Sequence, residues 1–71
     1  MFSERLKAAR GAKGLTQQAV ADHLGIKLAA YQHYEYNFRK PSFDVLANLC
    51  RFLQCSADWL LDLSEERELR P

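Results

Sequence analysis

The chain has 71 residues and a mass of 8.2 kDa, which allows one small domain, and 48% of its residues are apolar, which excludes a disordered chain. Ten Lys and Arg against nine Asp and Glu leave a formal net charge of +1, a balance that argues against a strongly basic nucleic-acid-binding protein. No apolar run approaches the ~20 residues of a bilayer-spanning helix, and no signal-peptide pattern opens the sequence. We therefore expect a cytoplasmic binding module that makes no membrane contact.

The first two predicted helices run between polar capping residues and glycines. Only four residues are β-branched, against 20 Leu and Ala, so the composition favours helix over strand. Ser3 is predicted to cap the first helix, whose apolar pattern ends at Gly14. Thr16 is predicted to cap the second helix, and Gly25 stops it. About three residues then turn the chain into a third helix, a spacing typical of a helix-turn-helix.

The third predicted helix has two different faces. Helical spacing puts Ala30, Tyr31 and Tyr34 on an inner, apolar face. The outer face lacks the Glu and Lys side chains of an ordinary solvated helix and mixes amide, imidazole and phenol groups with small apolar ones; it consists of Leu28, Ala29, Gln32, His33 and Tyr36. This composition favours contact with a partner.

Two further helices follow a basic loop over residues 37–41. Ser42 is predicted to cap a fourth helix that points five apolar side chains inward: Phe43, Leu46, Leu49, Cys50 and Leu53. Ser56 is predicted to cap a short fifth helix anchored by Trp59 and Leu60. From Ser64 onward the sequence is polar and has no second apolar stripe, so we expect a solvated, frayed end.

The cysteine and histidine positions predict neither a metal site nor catalysis. Cys50 and Cys55 form no zinc-ligand spacing with His23 or His33, so we expect reduced, partly buried thiols. The sequence also lacks a nucleophile–base pair and a Gly-rich phosphate loop. We therefore predict no enzymatic activity, no metal and no cofactor.

Five sequence motifs stand at a consistent spacing from one another: GLTQQ at 14–18, ADHLGI at 21–26, YE at 34–35, RKPS at 39–42 and LQCSADWLL at 53–61. Together they resemble the phage-repressor/Cro-like, or XRE-type, helix-turn-helix family over residues 2–63. The resemblance implies an all-α, compact five-helix lambda-repressor-like domain over residues 1–63, with a short polar tail over 64–71. Its helix-turn-helix is formed by helices 2 and 3.

The resemblance also implies a function and partners. It implies a sequence-specific transcriptional regulator, a repressor of prophage or bacterial type, whose third helix reads the major groove of double-stranded DNA. Family members usually bind inverted-repeat operators as homodimers, with half-sites ~34–36 Å apart. The alternative is an antitoxin-like protein that binds both a toxin partner and its own promoter.

The family's base-facing positions map onto the outer face of helix 3. They are Lys27, Leu28, Ala29, Gln32 and His33. A Gln amide can bond both N6 and N7 of adenine, and Leu or Ala can pack against a thymine methyl. Because polar residues are more usual at positions 28 and 29 in the family, thymine-methyl contact or recognition of DNA shape is the expected readout there.

The resemblance assigns phosphate contacts and one internal ion pair. The expected phosphate contacts are Gln17, Tyr36, Asn37, Arg39 and Lys40. Arg10 lies on the inner stripe of helix 1, and Glu35 lies at the C-terminal end of helix 3, where the helix dipole disfavours an anion. Pairing removes both difficulties, and we expect this pair to orient helix 3.

The net charge of each half of the chain, counted separately, changes what the overall charge indicates about nucleic-acid binding. Residues 1–40 carry seven Lys and Arg and three Asp and Glu, a balance of +4, whereas residues 41–71 carry three and six, a balance of −3. The net charge of +1 thus averages a basic half, which contains the predicted interface, with an acidic one. The modest excess predicts moderate affinity for DNA per monomer.

Overall fold

Five α-helices account for most of the chain in the computed structural model, which describes residues 1–69. They are α1 (Phe2–Ala12), α2 (Gln17–Leu24), α3 (Leu28–Glu35), α4 (Phe43–Leu53) and α5 (Ala57–Leu60). The predicted all-α, five-helix architecture is confirmed. No helix within residues 1–69 is long and apolar enough to cross a membrane.

Hydroxyl caps begin three of the helices. The side-chain oxygens of Thr16, Ser42 and Ser56 accept hydrogen bonds from backbone N–H groups three residues later, at 3.0, 3.2 and 3.0 Å. Each bond satisfies one donor that the first helical turn leaves unpaired. The three caps confirm the predicted starts of α2, α4 and α5.

The start of α1 differs from its prediction. Met1 is the N-cap, and Ser3 lies buried inside the helix instead of capping it. Phe2 is buried in the core, and the Met1 ammonium bonds the carboxylates of Glu4 and Asp62 at 3.3 and 3.2 Å. These contacts draw the first residues into the helical turn, so the helix begins before Ser3.

The core takes a fully buried side chain from every helix: Leu6, Val20, Tyr31, Leu49 and Leu60. The turn between α2 and α3 is short because Gly25 adopts a left-handed conformation (φ 69°) that other residues adopt at an energetic penalty. The backbone N–H of the next residue then bonds the carbonyl of Ala21 at 3.1 Å, which closes the end of α2.

Phe43 is not part of this core, and its predicted inward position is wrong. Its side chain is 90% exposed, whereas Leu49 and Leu53, farther along the same helix, are buried. Phe43 is the first residue of α4, directly after the exposed Ser42 cap, and helical periodicity gives its face but not whether another element covers it. The apolar side chains of α4 that pack against the core therefore start at Val45, which is half-buried.

Cys50 and Cys55 are free and buried, one on each side of the end of α4. Gln54 takes a left-handed conformation (φ 56°), and the backbone N–H of Cys55 bonds the carbonyl of Cys50 at 3.1 Å. Burial raises the pKa of the Cys50 thiol and raises the pKa of the Cys55 thiol to about 12. Both side chains are thus protonated parts of the core.

The polar segment after α5 remains largely exposed, but hydrogen bonds hold it against the domain. The Ser56 backbone N–H donates to the Arg67 carbonyl at 2.8 Å, and the Ser56 hydroxyl donates to the Glu66 carbonyl at 3.0 Å. From the other side, Arg5 donates to the Ser64 carbonyl at 2.9 Å. As far as residue 69, the segment is not the frayed end that its composition indicates.

Candidate nucleic-acid interface

One face of α3 is packed against the rest of the domain, and the other face is accessible to solvent. Its inner tyrosines, Tyr31 and Tyr34, are buried and pack edge to face, with ring centroids 6.3 Å apart. The outer positions behave differently: Ala29 and His33 are exposed, while Gln32 is half-buried. The pattern that predicts two faces on this helix therefore corresponds to its observed burial.

Lys27 is the N-cap of α3. Lys27 has the extended backbone of a capping residue, but its side chain makes no cap hydrogen bond. Lys27 is exposed and directly precedes half-buried Leu28, the first residue of α3. A cation here opposes the helix dipole, and a nearby anion would offset that penalty.

A buried carboxylate ties α1 to the end of α3. The side chain of Glu35 is fully buried, and Arg10 grips it with two bonds, Nε to Oε2 at 2.5 Å and Nη2 to Oε1 at 3.1 Å. Arg10 also donates to the carbonyl of Leu15 at 2.8 Å, and the Tyr31 hydroxyl donates to Glu35 Oε2. The two residues that the resemblance pairs thus form a bidentate ion pair with further hydrogen bonds.

The ionisation of this cluster follows from these contacts. Burial by itself would raise the pKa of the Glu35 carboxyl, but hydrogen bonds from Arg10 and Tyr31 outweigh it and leave the pKa below its ordinary value. The hydrogen bond to Glu35 raises the pKa of Arg10, and burial followed by the same carboxylate raises the pKa of Tyr31. The cluster therefore holds a carboxylate, a guanidinium and a neutral phenol.

Gln17, an expected phosphate contact, has its side chain committed within the chain. Its Nε2 donates to Glu35 Oε1 at 3.1 Å and to the Tyr36 hydroxyl at 3.3 Å, while its Oε1 accepts from Gln32 Nε2 at 3.1 Å. An amide nitrogen has two protons, so both donors of Gln17 are engaged. The Gln17 side chain thus links α2 to α3. Gln17 lies three residues before the buried Val20, which puts both on one face of α2, and this spacing is the signal in the sequence that indicates such a contact.

The loop after α3 is folded back onto the last turn of that helix. Asn37 takes a left-handed conformation (φ 64°), and the backbone N–H groups of Phe38 and Arg39 both donate to the carbonyl of His33, at 2.9 and 3.2 Å. Lys40 donates to Asn37 Oδ1 at 3.0 Å and lies 5.3 Å from the centre of the Phe2 ring. The loop conformation thus depends on Asn37 and Lys40 together.

The two loop cations differ in their freedom. Lys40 is engaged with Asn37, whereas the side chain of Arg39 makes no ion pair or hydrogen bond to any residue in the range 1–69. Both residues are exposed. Arg39 is accordingly the loop cation that can bind an external anion without first breaking an internal bond.

Taken together, the structure gathers Gln17, Gln32 and Tyr36 with the Arg10–Glu35 pair in one hydrogen-bonded network. Residues 27–29 line the beginning of α3, and residues 37–40 follow its end. The sequence did not indicate Phe38 as a member of this surface. In the folded chain its ring centroid lies 5.9 Å from that of His33. Nowhere in residues 1–69 do three His, Cys, Asp or Glu side chains meet in a group that could hold a metal ion.

Comparison with known proteins agrees with this geometry. A family model described as helix-turn-helix matches residues 6–60. The uncharacterized HTH-type transcriptional regulator YqaE of Bacillus subtilis is 49% identical over 61 residues, which are 86% of this chain and 53% of that protein. The transcriptional repressor RstR of the cryptic phage CTXphi in Vibrio cholerae is 35% identical and is matched by 97% of this chain. The chain spans about half the length of the first relatives, 53% and 56%.

Solved structures agree on the fold. The P22 c2 repressor, crystallised in complex with a synthetic operator, superimposes with a TM-score of 0.83 at 30% sequence identity. The match covers 90% of this chain and 97% of that one. The solution structure of the DNA-binding domain of the same repressor gives a TM-score of 0.80 at 32% identity and covers 94% of this chain.

Proposed function

The chain belongs to the XRE-type helix-turn-helix family, and on this premise we propose that it is a sequence-specific transcriptional regulator that binds operator DNA with α3. The observation that carries the proposal is the construction of α3. Its inner face is fixed by buried tyrosines and the Arg10–Glu35 pair, while its outer face presents polar and small side chains to solvent. A helix held in this way suits insertion into the major groove.

Base readout is proposed for the outer face and entrance of α3. Gln32 and His33 supply the hydrogen-bonding groups, and an amide of this kind matches N6 and N7 of adenine. Leu28 and Ala29 supply apolar surface of the sort that packs against a thymine methyl. Lys27, whose side chain is not used as a cap, is proposed to reach the edge of the site.

Phosphate binding is proposed for the two segments that flank α3. Gln17 is the first residue of α2, where the backbone N–H groups of the first turn and the helix dipole favour a phosphate, and its side chain bonds Gln32 of α3. After α3, Arg39 has no side-chain partner among residues 1–69, Lys40 and Asn37 bond each other within the loop, and Tyr36 is exposed. These groups hold the domain in register without reading sequence.

The proposed regulator acts as a homodimer on an inverted-repeat operator. The apolar side chains of Leu61 and Leu63 are exposed just after α5, 46% and 74% respectively, and we propose this surface for the contact between two copies. Pairing of two copies doubles the number of phosphate and base contacts. Specific binding needs this gain because residues 1–40 of one copy carry only a modest excess of positive charge. The operator half-sites are then expected about one helical turn, ~34–36 Å, apart.

The decisive experiment is selection of bound sequences from a random duplex library. A regulator of this kind should enrich an inverted repeat, and its affinity for that duplex should fall steeply with salt concentration. Arg39→Ala should weaken all sequences about equally, whereas Gln32→Ala and His33→Ala should relax preference at particular bases. Arg51→Ala, which removes the same charge from an exposed site on α4, is the matched control. Absence of duplex binding at low salt would contradict the proposal.

A further inference from the structure

A large apolar ring, that of Phe38, is exposed in the loop that follows α3. The Phe38 side chain is 77% exposed, although burial of a phenylalanine is normally favourable. Single exposed apolar residues are common on protein surfaces, so exposure alone indicates nothing. Phe38 differs because its backbone is fixed: its N–H donates to the carbonyl of His33 at 2.9 Å.

The ring of Phe38 shares a surface with a proposed base-reading residue. Its centroid lies 5.9 Å from that of the His33 ring, and the two planes meet at 74°, an edge-to-face arrangement. His33 is exposed on the outer face of α3. Because the two rings are in contact, Phe38 lies on the same side of the domain as the proposed DNA-binding face.

The charged residues near Phe38 in the sequence are mostly basic, which favours binding of a polyanion. Glu35 is the one acidic residue between positions 23 and 43, and its side chain is buried and paired with Arg10. The same stretch contains Lys27, Arg39 and Lys40. The segment that carries Phe38 therefore has an excess of positive charge, which favours an acidic partner over a neutral apolar one.

The position of Phe38 along the helix selects the part of the DNA that it can meet. In helix-turn-helix docking the N-terminal residues of the recognition helix reach the base edges. Phe38 stands beyond the C-terminal end of α3 and immediately before Arg39. A residue there lies nearer the sugar–phosphate backbone than the bases, and deoxyribose is the apolar component of that backbone.

We infer, on the basis of the proposed function, that Phe38 is a DNA-contacting and positioning residue. Its ring packs against a deoxyribose beside the phosphate bound by Arg39, and its contact with the His33 ring holds the imidazole toward the bases. Phe38 thus contributes affinity through apolar contact and contributes base discrimination through His33.

The salt dependence of binding separates this role from that of a cation. With a duplex of about 30 base pairs carrying the selected inverted repeat, Phe38→Ala should raise Kd about 10-fold at every salt concentration, since burial of apolar surface releases no counterions. Arg39→Ala should instead lower the slope of log Kd against log salt by about 1 per site. Phe38→Tyr, which keeps the ring, should bind within about 3-fold of the unsubstituted chain.

Leu69→Ala is the control for removal of exposed apolar surface, because Leu69 is 39% exposed on the segment after α5. On the selected duplex Leu69→Ala should leave Kd unchanged while Phe38→Ala raises it. Circular dichroism should give both variants the helical signal of the parent chain.

Coupling to His33 tests the positioning role. In a double-mutant cycle, Phe38→Ala and His33→Ala should be non-additive on the selected duplex, and Phe38→Ala alone should reduce discrimination at the base whose preference depends on His33. Unchanged binding by Phe38→Ala would overturn this inference and leave the proposed function standing. A salt slope reduced as in Arg39→Ala would likewise overturn it, and failure of the parent chain to bind any duplex would overturn both.

Discussion

The side chains of Gln17 and Gln32 join α2 to α3 through a hydrogen bond of 3.1 Å, in which Gln32 Nε2 donates to Gln17 Oε1. The direction of this bond is imposed from the core. The Glu35 carboxylate only accepts, so the nitrogen of Gln17 faces it and the oxygen of Gln17 faces Gln32. Among residues 1–69, Gln32 uses only this one N–H, so its second N–H and its oxygen remain for an external partner as the donor and acceptor that adenine requires.

Loss of Gln17 should therefore affect how Gln32 reads DNA. Gln17→Ala frees the Gln32 amide to rotate, and we expect discrimination at the base read by Gln32 to fall about 3- to 10-fold, a fraction of the value of one bidentate contact. Gln18→Ala is the control, because Gln18 is exposed on the same helix and bonds only Asp22 among the described residues. Competition binding with the four base variants of the selected duplex measures the effect. Equal discrimination by Gln17→Ala and the parent chain would rule out the orienting role.

Breaking the Arg10–Glu35 pair from the arginine side should strongly destabilise the fold. Arg10→Met leaves a fully buried carboxylate without its cation, and such a loss costs about 3–5 kcal/mol. Arg51→Met, which removes an exposed arginine from α4, should change the free energy of unfolding by less than about 0.5 kcal/mol. Urea denaturation of the three proteins gives the comparison, and equal stability of the two variants would argue against a structural ion pair.

Acid should remove the stabilisation that Glu35 provides. The pKa of Glu35 is lowered in the folded chain relative to its ordinary value of 4.5, so its contribution is complete above that pH. It is lost as the pH falls from about 4.5 through the lower folded-state pKa. The free energy of unfolding should decline over this interval in the parent chain and decline less in Glu35→Gln. Parallel pH profiles for the two proteins would contradict the lowered pKa.

Truncation of two apolar side chains of α4 should change the free energy of unfolding by very different amounts. Phe43→Ala removes a ring that is 90% exposed, and we expect a change in the free energy of unfolding within about 0.5 kcal/mol. Leu49→Ala opens a cavity in the core and should destabilise by about 2–5 kcal/mol. Thermal denaturation of both variants checks the ranking, and a large loss for Phe43→Ala would show that the ring is packed in solution.

The two thiols should react only after the domain opens. Burial keeps Cys50 and Cys55 protonated, and the thiolate is the reactive form. An aromatic disulfide reagent at neutral pH should label the native chain slowly and the urea-unfolded chain rapidly. Labelling rates measured across the urea transition should follow the unfolded fraction, whereas rapid labelling without urea would place a thiol at the surface.

Much of this fold follows from local features of the sequence. A hydroxyl at Thr16, Ser42 or Ser56 satisfies a backbone N–H three residues ahead, and Gly25 is suited to the left-handed turn between α2 and α3. These interactions involve near neighbours in the chain, so they could be predicted without knowing how the helices pack. The motif spacing likewise sufficed to assign the family, since the spacing reflects the order and length of the helices.

The sequence by itself determined the five helices, the two faces of α3 and the separation of a basic half from an acidic half. Tertiary structure alone decided that Phe43 is exposed, that the side chain of Gln17 is committed to Glu35 and Gln32, and that Phe38 lies against His33. Helical periodicity gives the face of a residue but not whether another element covers that face. Hydrogen-bond partners that are 15 or 18 residues apart are chosen by packing, which local patterns do not encode.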